Sequence, residues 1–269
     1  MEGKEKQNIH RKAKFIMVEG IDGTGKGYIV DTIVNLLMKK GLTVYDLRKK
    51  EGELSYLPLF EELCEFEVFV YKEPPDFGIG KDIRLEILRR GKEEYNARTH
   101  AYAFSVSREV LYKRLVIPAL KNLKLVIAER GFISSMVYQP LFSQFLKDDE
   151  ILSPDFVLSL EGNKIAIQNP PNLVLVADCD VNTALDRITE RDRDNKSLFE
   201  TREMLEKSRE IYLGKQKFKI WGKEQTLEQF LAEIGKNEDL QYVIVNVNDS
   251  KDVVRERVEK IISDFFLKN

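Results

Sequence analysis

The sequence is poor in cysteine and in net charge. Only two cysteines occur among 269 residues, Cys64 and Cys179, and they lack the paired spacing of a zinc or redox motif. Two such thiols fit a reducing compartment. The 43 basic and 45 acidic side chains nearly cancel, which excludes a whole-molecule field that would gather nucleic acid or anionic lipid. Any site for an anion must therefore be local.

Long apolar runs and linkers are missing as well. No run approaches the roughly 20 residues of a membrane-spanning helix, and the charged N-terminal segment lacks the apolar stretch of a signal peptide. No segment rich in Ser, Gly or Pro divides the chain. We therefore expect residues 1–13 to be a flexible tail and residues 14–269 to form one cytoplasmic domain, without a membrane or nucleic-acid partner.

Apolar runs rich in β-branched residues alternate with longer segments of helical period. This alternation is typical of a parallel sheet with crossover helices, and the continuous apolar run at residues 173–177 fits a strand buried on both faces. The sequence predicts an α/β fold with an open, mostly parallel β-sheet and helices on both faces. The predicted central strands are residues 14–19, 42–47, 66–71, 123–129, 173–178 and 242–247.

Two segments fit the alternation poorly, and we interpret both as insertions. Residues 49–65 are acidic and irregular, whereas residues 148–170 contain two short apolar runs around Glu161-Gly162-Asn163-Lys164. Since a glycine and an asparagine between apolar runs are typical of a tight turn, we expect a β-hairpin in the second segment.

The most specific motif is Gly20-Ile21-Asp22-Gly23-Thr24-Gly25-Lys26, which follows a predicted strand and precedes a predicted helix. Backbone N–H groups of such a loop converge on a phosphate at a helix N-terminus, and Lys26 reaches the outer phosphates. A glycine-rich turn without a ligand is the alternative, but the strand–loop–helix context favours a phosphate loop. The sequence thus predicts a P-loop NTPase-like fold that binds ATP through residues 20–28, including Gly27 and Tyr28.

One position departs from the usual loop. The Ser or Thr that normally follows the lysine and ligates Mg²⁺ is replaced by Gly27. We expect the metal to be held, directly or through water, by a carboxylate such as Glu129 or Asp22. The alternative is a loop that binds nucleotide with little turnover.

The phosphate loop alone does not name a function, because GTPases, ATPases and small-molecule kinases share it. A GTPase would need an Asn-Lys-x-Asp segment after a late strand. The two Asn-Lys pairs, Asn163-Lys164 and Asn195-Lys196, are not followed by Asp at the required spacing. We therefore set the GTPase interpretation aside.

Several further segments occur in an order that resembles the thymidylate kinases. With the loop, they cover roughly residues 15–212. The segments are Lys72-Glu73-Pro74-Pro75, Gly78-Ile79-Gly80-Lys81-Asp82-Ile83-Arg84, Phe104-Ser105-Val106-Ser107-Arg108, Glu129-Arg130-Gly131-Phe132-Ile133-Ser134-Ser135-Met136-Val137-Tyr138-Gln139, and the strand ending in Asp178 with Ala184-Leu185-Asp186-Arg187. The resemblance implies transfer of the ATP γ-phosphate, with Mg²⁺, to dTMP or a related pyrimidine deoxynucleoside monophosphate by a homodimer.

The same resemblance implies which residues form the site. Catalytic roles would fall to Lys26, Arg130, Arg191 and Arg193. The monophosphate would be bound by Asp22, Glu73, Arg84, Phe104, Arg108, Arg130, Ser135, Tyr138 and Gln139. Gly131 replaces a usual tyrosine, from which we expect a less filled pocket.

Spacing supports part of this set and leaves other interpretations open. Phe104 and Arg108 lie four apart on a predicted helix and share a face, although a core ring beside a solvated arginine has the same spacing. Arg130 follows a buried strand, where a charged residue favours a site role. Ser135 is either a pocket residue or a helix cap.

A basic segment at residues 190–200 contains Arg191 and Arg193. By resemblance it is a lid that closes over the donor phosphates, and by composition alone it is a solvated charged face. Two other functions stay open: a deoxynucleoside kinase that acts on the 5′-hydroxyl, and a nucleotide-binding homologue with little activity.

Overall fold

The computed structural model describes residues 14–50, 52–88, 95–147, 151–191, 199–236 and 239–268. The expected tail at residues 1–13 lies outside this range. Within it the strands are β1 Lys14–Glu19, β2 Val44–Asp46, β3 Val68–Lys72, β4 Leu125–Glu129, β5 Leu173–Asp178, β6 Phe218–Ile220, β7 Lys223–Gln225 and β8 Gln241–Asn246. Six of them form one sheet in the order β2-β3-β4-β1-β5-β8, and each pairing is parallel.

The helices of the described part connect these strands. They are α1 Lys26–Lys39, α2 Gly78–Asp82, α3 Ala97–Leu111, α4 Ile117–Lys121, α5 Phe132–Leu146, α6 Pro154–Ser159, α7 Glu161–Gln168, α8 Val181–Arg191, α9 Arg202–Tyr212, α10 Leu227–Ile234 and α11 Lys251–Lys268. Two π-helical turns, Ile83–Leu88 and Tyr112–Val116, continue α2 and α3.

The predicted fold class is confirmed. All six predicted central strands occur in the parallel sheet, with bounds that differ by no more than two residues. Strand β1 lies between β4 and β5 and is buried along its whole length, and Phe15, Ile16, Met17 and Val18 are 0% exposed. A strand covered on both faces needs an unbroken apolar run, which is why this sequence folds as a central strand.

The order of the strands determines where the helices lie. From β1 the chain crosses to the β2 edge through α1, then returns in the opposite direction through β3, β4, β5 and β8. Because crossovers between parallel strands are right-handed, the two directions place helices on opposite faces of the sheet. The carboxyl ends of β1, β3 and β4 share one edge, where open α/β sheets bind their ligands.

The expected β-hairpin within residues 148–170 is wrong. The structure has two helices there, α6 and α7, and Gly162 lies inside the second one. A Cβ on Gly162 would lie 1.9 Å from the backbone oxygen of Ser105 on α3. The glycine therefore permits two helices to pack closely, rather than a chain reversal.

Candidate active site

The loop after β1 wraps tightly around the start of α1. Gly23 and Gly25 have φ angles of 80° and 78°, in the left-handed region that favours glycine. A Cβ on Gly23 would also lie 2.2 Å from the backbone oxygen of Ala184, so helix α8 packs directly against the loop. These two constraints explain why the loop needs glycine at both positions.

Lys26 opens helix α1 and folds back over the loop. Its Nζ donates to the backbone oxygens of Ile21, at 2.7 Å, and Gly20, at 3.2 Å. Burial, together with the nearby charge of Arg130, lowers the pKa of Lys26 from 10.5 to about 8. The amine is thus a buried cation within the loop, in a position to gain a charged partner when a phosphate binds.

Arg130 follows β4 directly, with an unusual φ of 68° for a residue other than glycine. Its Nη2 donates to Asp22 Oδ1 at 2.6 Å, and its Nη1 donates to Ser134 Oγ at 3.0 Å and to Gly20 O at 3.2 Å. Burial opposes the charge, but the Asp22 carboxylate raises the pKa of Arg130 well above its ordinary value. The guanidinium is therefore fixed as a cation beside the phosphate loop.

Glu19 stabilises the backbone turn that presents Arg130. This fully buried carboxylate accepts hydrogen bonds from the N–H groups of Gly131 and Ser134, at 2.9 and 3.2 Å, and from the hydroxyls of Ser134 and Tyr212, at 2.6 and 2.9 Å. Four donors compensate for the loss of hydration of the charge. Strand β1, helix α5 and helix α9 are thereby joined directly behind the loop.

A second buried network surrounds Arg108, which is only 2% exposed. Its Nε donates to Glu73 Oε2 at 2.7 Å, and its Nη2 lies 2.6 Å from the same oxygen. Nη2 also donates to Ser135 Oγ at 3.1 Å, and Nη1 donates to Asn163 Oδ1. Burial raises the pKa of Glu73, although Arg108 opposes this change. Within the described residues, these contacts leave one Nη1 hydrogen of Arg108 for a ligand.

Asn163 was not among the predicted site residues. It is 0% exposed on α7, and its Nδ2 donates to Val157 O at 2.5 Å, which turns its Oδ1 toward Arg108. Asn163 thereby joins Glu73 and Ser135 as a third partner of the Arg108 guanidinium, and the three partners come from distant chain segments. A lone asparagine gives no sequence signal for such a role.

One cavity of about 970 Å³ connects the phosphate loop with the Arg108 network. Three buried polar atoms of its lining residues have no hydrogen-bond partner within the described part of the chain: Glu73 Oε1, the Tyr138 hydroxyl and Gln139 Oε1. Buried polar groups are normally paired, so such a group of atoms indicates a place for a polar ligand.

Most of the predicted site residues line this cavity. They are Asp22, Gly23, Gly25, Lys26, Gly27, Tyr28, Glu73, Arg84, Phe104, Arg108, Glu129, Arg130, Ser135, Tyr138 and Gln139. The loop residues Gly20, Ile21 and Thr24 instead support the loop, for example through the 2.9 Å hydrogen bond from Thr24 Oγ1 to Ile21 O. Arg193 and the side chain of Arg191 lie outside the described residues, as does most of the predicted lid.

Gly131 lies on the wall of this cavity. A Cβ on Gly131 would lie 2.5 Å from Met17 Cε, so the fully buried thioether of Met17 leaves no room for a side chain at residue 131. Met17 belongs to the core around β1, and a less filled pocket beside residue 131 stays a prediction.

Comparisons with known proteins show which family the chain resembles. Residues 58–234 match the family model described as Thymidylate kinase. The chain is similar to the thymidylate kinase of Mycoplasma pneumoniae (26% identity, 84% of this chain and 96% of the relative) and to that of Fervidobacterium nodosum (30%, 82% and 96%). It is also similar to a probable thymidylate kinase of Thermococcus onnurineus (30%, 74% and 82%).

No helix in the described ranges combines the length and apolar character needed to cross a membrane.

The relatives do not favour the deoxynucleoside kinase alternative, because their names identify thymidylate kinases. The family model covers well over half of the chain, and one relative with 30% identity aligns with 82% of it. The chain belongs to the thymidylate kinase family.

Proposed function

We propose that the protein transfers the γ-phosphoryl group of ATP to the 5′-phosphate of dTMP. The observation that carries this proposal is the single cavity that joins the phosphate loop to the buried pocket around Arg108, with Arg130 between them. A donor site and an acceptor site that share one cavity suit direct transfer between two bound nucleotides. The names of the relatives support dTMP as the acceptor.

On the donor side, loop N–H groups and Lys26 bind the ATP phosphates. When phosphate enters, the Nζ group exchanges its bonds to Ile21 O and Gly20 O for bonds to phosphate oxygens. Because Lys26 is buried, its attraction to a phosphate is stronger than it would be in water. This residue supplies a cation beside the transferred group, where negative charge is concentrated.

Arg130 binds the acceptor phosphate. Its 2.6 Å ion pair with Asp22 and its bond to Ser134 hold the guanidinium between the loop and the acceptor pocket. A prepositioned cation there offsets the repulsion between two phosphate groups that must approach each other. Such positioning and charge neutralisation are the main contributions that a protein makes to phosphoryl transfer.

The base lies between Phe104 and the Arg108 network. Phe104 is partly buried on the cavity wall and offers a face for stacking. Arg108 offers its remaining Nη1 hydrogen to a carbonyl of the base, and the oxygen of Gln139 accepts from a base N–H. Both directions of hydrogen bonding are thus represented, which suits the keto and imide groups of thymine.

Mg²⁺ fits this site through the carboxylate of Glu129, which lines the cavity beside Gly27. When bound, it neutralises phosphate charge during the transfer. In line with the family resemblance, we also propose that Arg191 and Arg193 belong to a lid over the donor phosphates. We also propose that the protein is a homodimer and lies in the cytoplasm. Sedimentation analysis measures its oligomeric state.

A coupled assay for ADP release tests the proposed activity. ATP and Mg²⁺ are held constant while dTMP, dUMP, dCMP and thymidine are compared as acceptors. We expect the highest kcat/KM with dTMP and no turnover with thymidine. Turnover of thymidine, or nucleotide binding without turnover of any monophosphate, would contradict the proposal.

A further inference from the structure

The phosphate loop has room for a hydroxyl at residue 27 but does not contain one. Gly27 has no left-handed φ that would require glycine. A Cβ at this position would lie 3.6 Å from Glu129 Oε2 and 4.0 Å from Glu129 Oε1, which is ordinary van der Waals contact. Both oxygens of one carboxylate therefore lie next to the place where the usual metal-binding hydroxyl would project.

Glu129 reaches this place from the end of β4. Its backbone is fixed by pairing with Val18 of β1 and Lys72 of β3, and its carbonyl accepts from the N–H of Glu73 at 3.0 Å. Its side chain is 22% exposed and opens into the cavity. The strand thus aims a carboxylate at the start of α1, a position where an oxygen ligand meets a nucleotide-bound cation.

Arg48 lies beside this carboxylate. Its Nη1 lies 3.6 Å from Glu129 Oε2, and its side chain is only 9% exposed. It is itself fixed by Asp46, through Nε at 3.0 Å and Nη2 at 2.8 Å, and by Asp31 of α1 at 2.7 Å. The guanidinium approaches Oε2, which is also the Glu129 oxygen nearer to the Cβ position of residue 27, so Arg48 holds the carboxylate beside the start of α1.

We propose that Glu129 is a direct ligand of the divalent cation and replaces the hydroxyl absent at residue 27, with Arg48 as its positioning residue. The proposal rests on the proposed function only in using the same nucleotide site. It assigns to Arg48, on the short turn after β2, a role that the sequence did not indicate. Mg²⁺ accepts carboxylate and hydroxyl oxygens alike, so one can substitute for the other.

The test measures metal binding rather than catalysis. Mn²⁺ is titrated into the protein saturated with ADP, and free Mn²⁺ is followed by electron paramagnetic resonance. Glu129→Gln should raise the Mn²⁺ dissociation constant on the order of tenfold or more, with ADP affinity in the absence of metal unchanged. The matched control is Glu228→Gln, the same change of a carboxylate to a carboxamide at an exposed position on α10. It should leave the Mn²⁺ dissociation constant unchanged.

A double-mutant cycle separates replacement from general electrostatics. Gly27→Ser should restore most of the Mn²⁺ affinity in the Glu129→Gln background and change the wild-type affinity little, since the hydroxyl then supplies the missing ligand. The proposal would be overturned if Gly27→Ser changed the Mn²⁺ affinity equally in the wild-type and Glu129→Gln backgrounds. It would also be overturned if Glu129→Gln bound Mn²⁺ as tightly as the wild type does. Neither outcome depends on which monophosphate is the acceptor, so the proposed activity stands or fails separately.

Arg48→Gln distinguishes positioning from charge. If Arg48 acted only as a nearby positive charge, its removal would increase Mn²⁺ affinity, because a repulsive charge is lost. As a positioning residue, its loss should decrease Mn²⁺ affinity, because Glu129 is no longer held toward the loop. Circular dichroism confirms that the variant is folded, and increased affinity would refute the assigned role.

Discussion

Asn163→Ala provides a detailed test of how the acceptor pocket is built. The substitution removes the oxygen that accepts from Arg108 Nη1 and one of two donors to the Val157 carbonyl, which keeps the Leu160 N–H at 3.3 Å. A hydrogen bond to a charged group contributes about 1.5–3 kcal/mol, which corresponds to about tenfold to a hundredfold in binding. We therefore expect KM for dTMP to rise by a factor in this range.

The KM for ATP should remain close to the wild-type value, because the donor loop does not contact Asn163. Steady-state kinetics with each substrate varied in turn measure both constants. Asn169→Ala is the matched control: it removes an asparagine at the end of the same helix, where Nδ2 donates to Ile165 O at 2.9 Å, without touching Arg108. Equal increases for dTMP and ATP, or no increase for dTMP, would refute the positioning role.

Further predictions concern both halves of the site. Lys26→Ala should lower kcat by orders of magnitude with the fold retained, as measured by kinetics and circular dichroism. Because the pKa of Lys26 is lowered from 10.5 to about 8, wild-type ATP affinity should fall above pH 8, with no such step in the variant. The free energy of unfolding should rise as the pH increases from about 8 to 10.5, because in that range Lys26 holds a proton only in the unfolded chain. Urea titrations at several pH values measure this rise. Phe104→Ala should raise KM for dTMP selectively. Gly162→Ala should cost about 1–3 kcal/mol in urea unfolding and also raise that KM, because α7 must move away from Ser105.

The central sheet and the phosphate loop were predictable because their signals are local. Apolar runs predicted the six strands, and the glycine spacing before Lys26 predicted the loop–helix junction. The small antiparallel pair β6–β7 was missed, although its turn contains Trp221 and Gly222 with φ angles of 49° and 76° between short alternating segments. Asn-Gly or Asp-Gly is the usual signal for a turn with positive φ at both central residues, and Trp221-Gly222 carries only the glycine of that pattern.

The acceptor pocket was only partly predictable because its contacts are not local. Gly162 indicated a turn in the sequence, whereas in the fold it permits close contact between two helices. Asn163 and Arg48 act through partners that the sheet and helices bring together from distant segments. Resemblance identified Arg108, but only the structure shows that three side chains fix its guanidinium.

Phosphorus NMR of the reaction products tests the central claim most directly. Purified protein is incubated with ATP, Mg²⁺ and dTMP, and the phosphorus signals are followed over time. The proposed function predicts that ATP and dTMP disappear at equal rates while ADP and dTDP accumulate in equal amounts. Release of inorganic phosphate without dTDP, or unchanged dTMP in the presence of bound ATP, would contradict it.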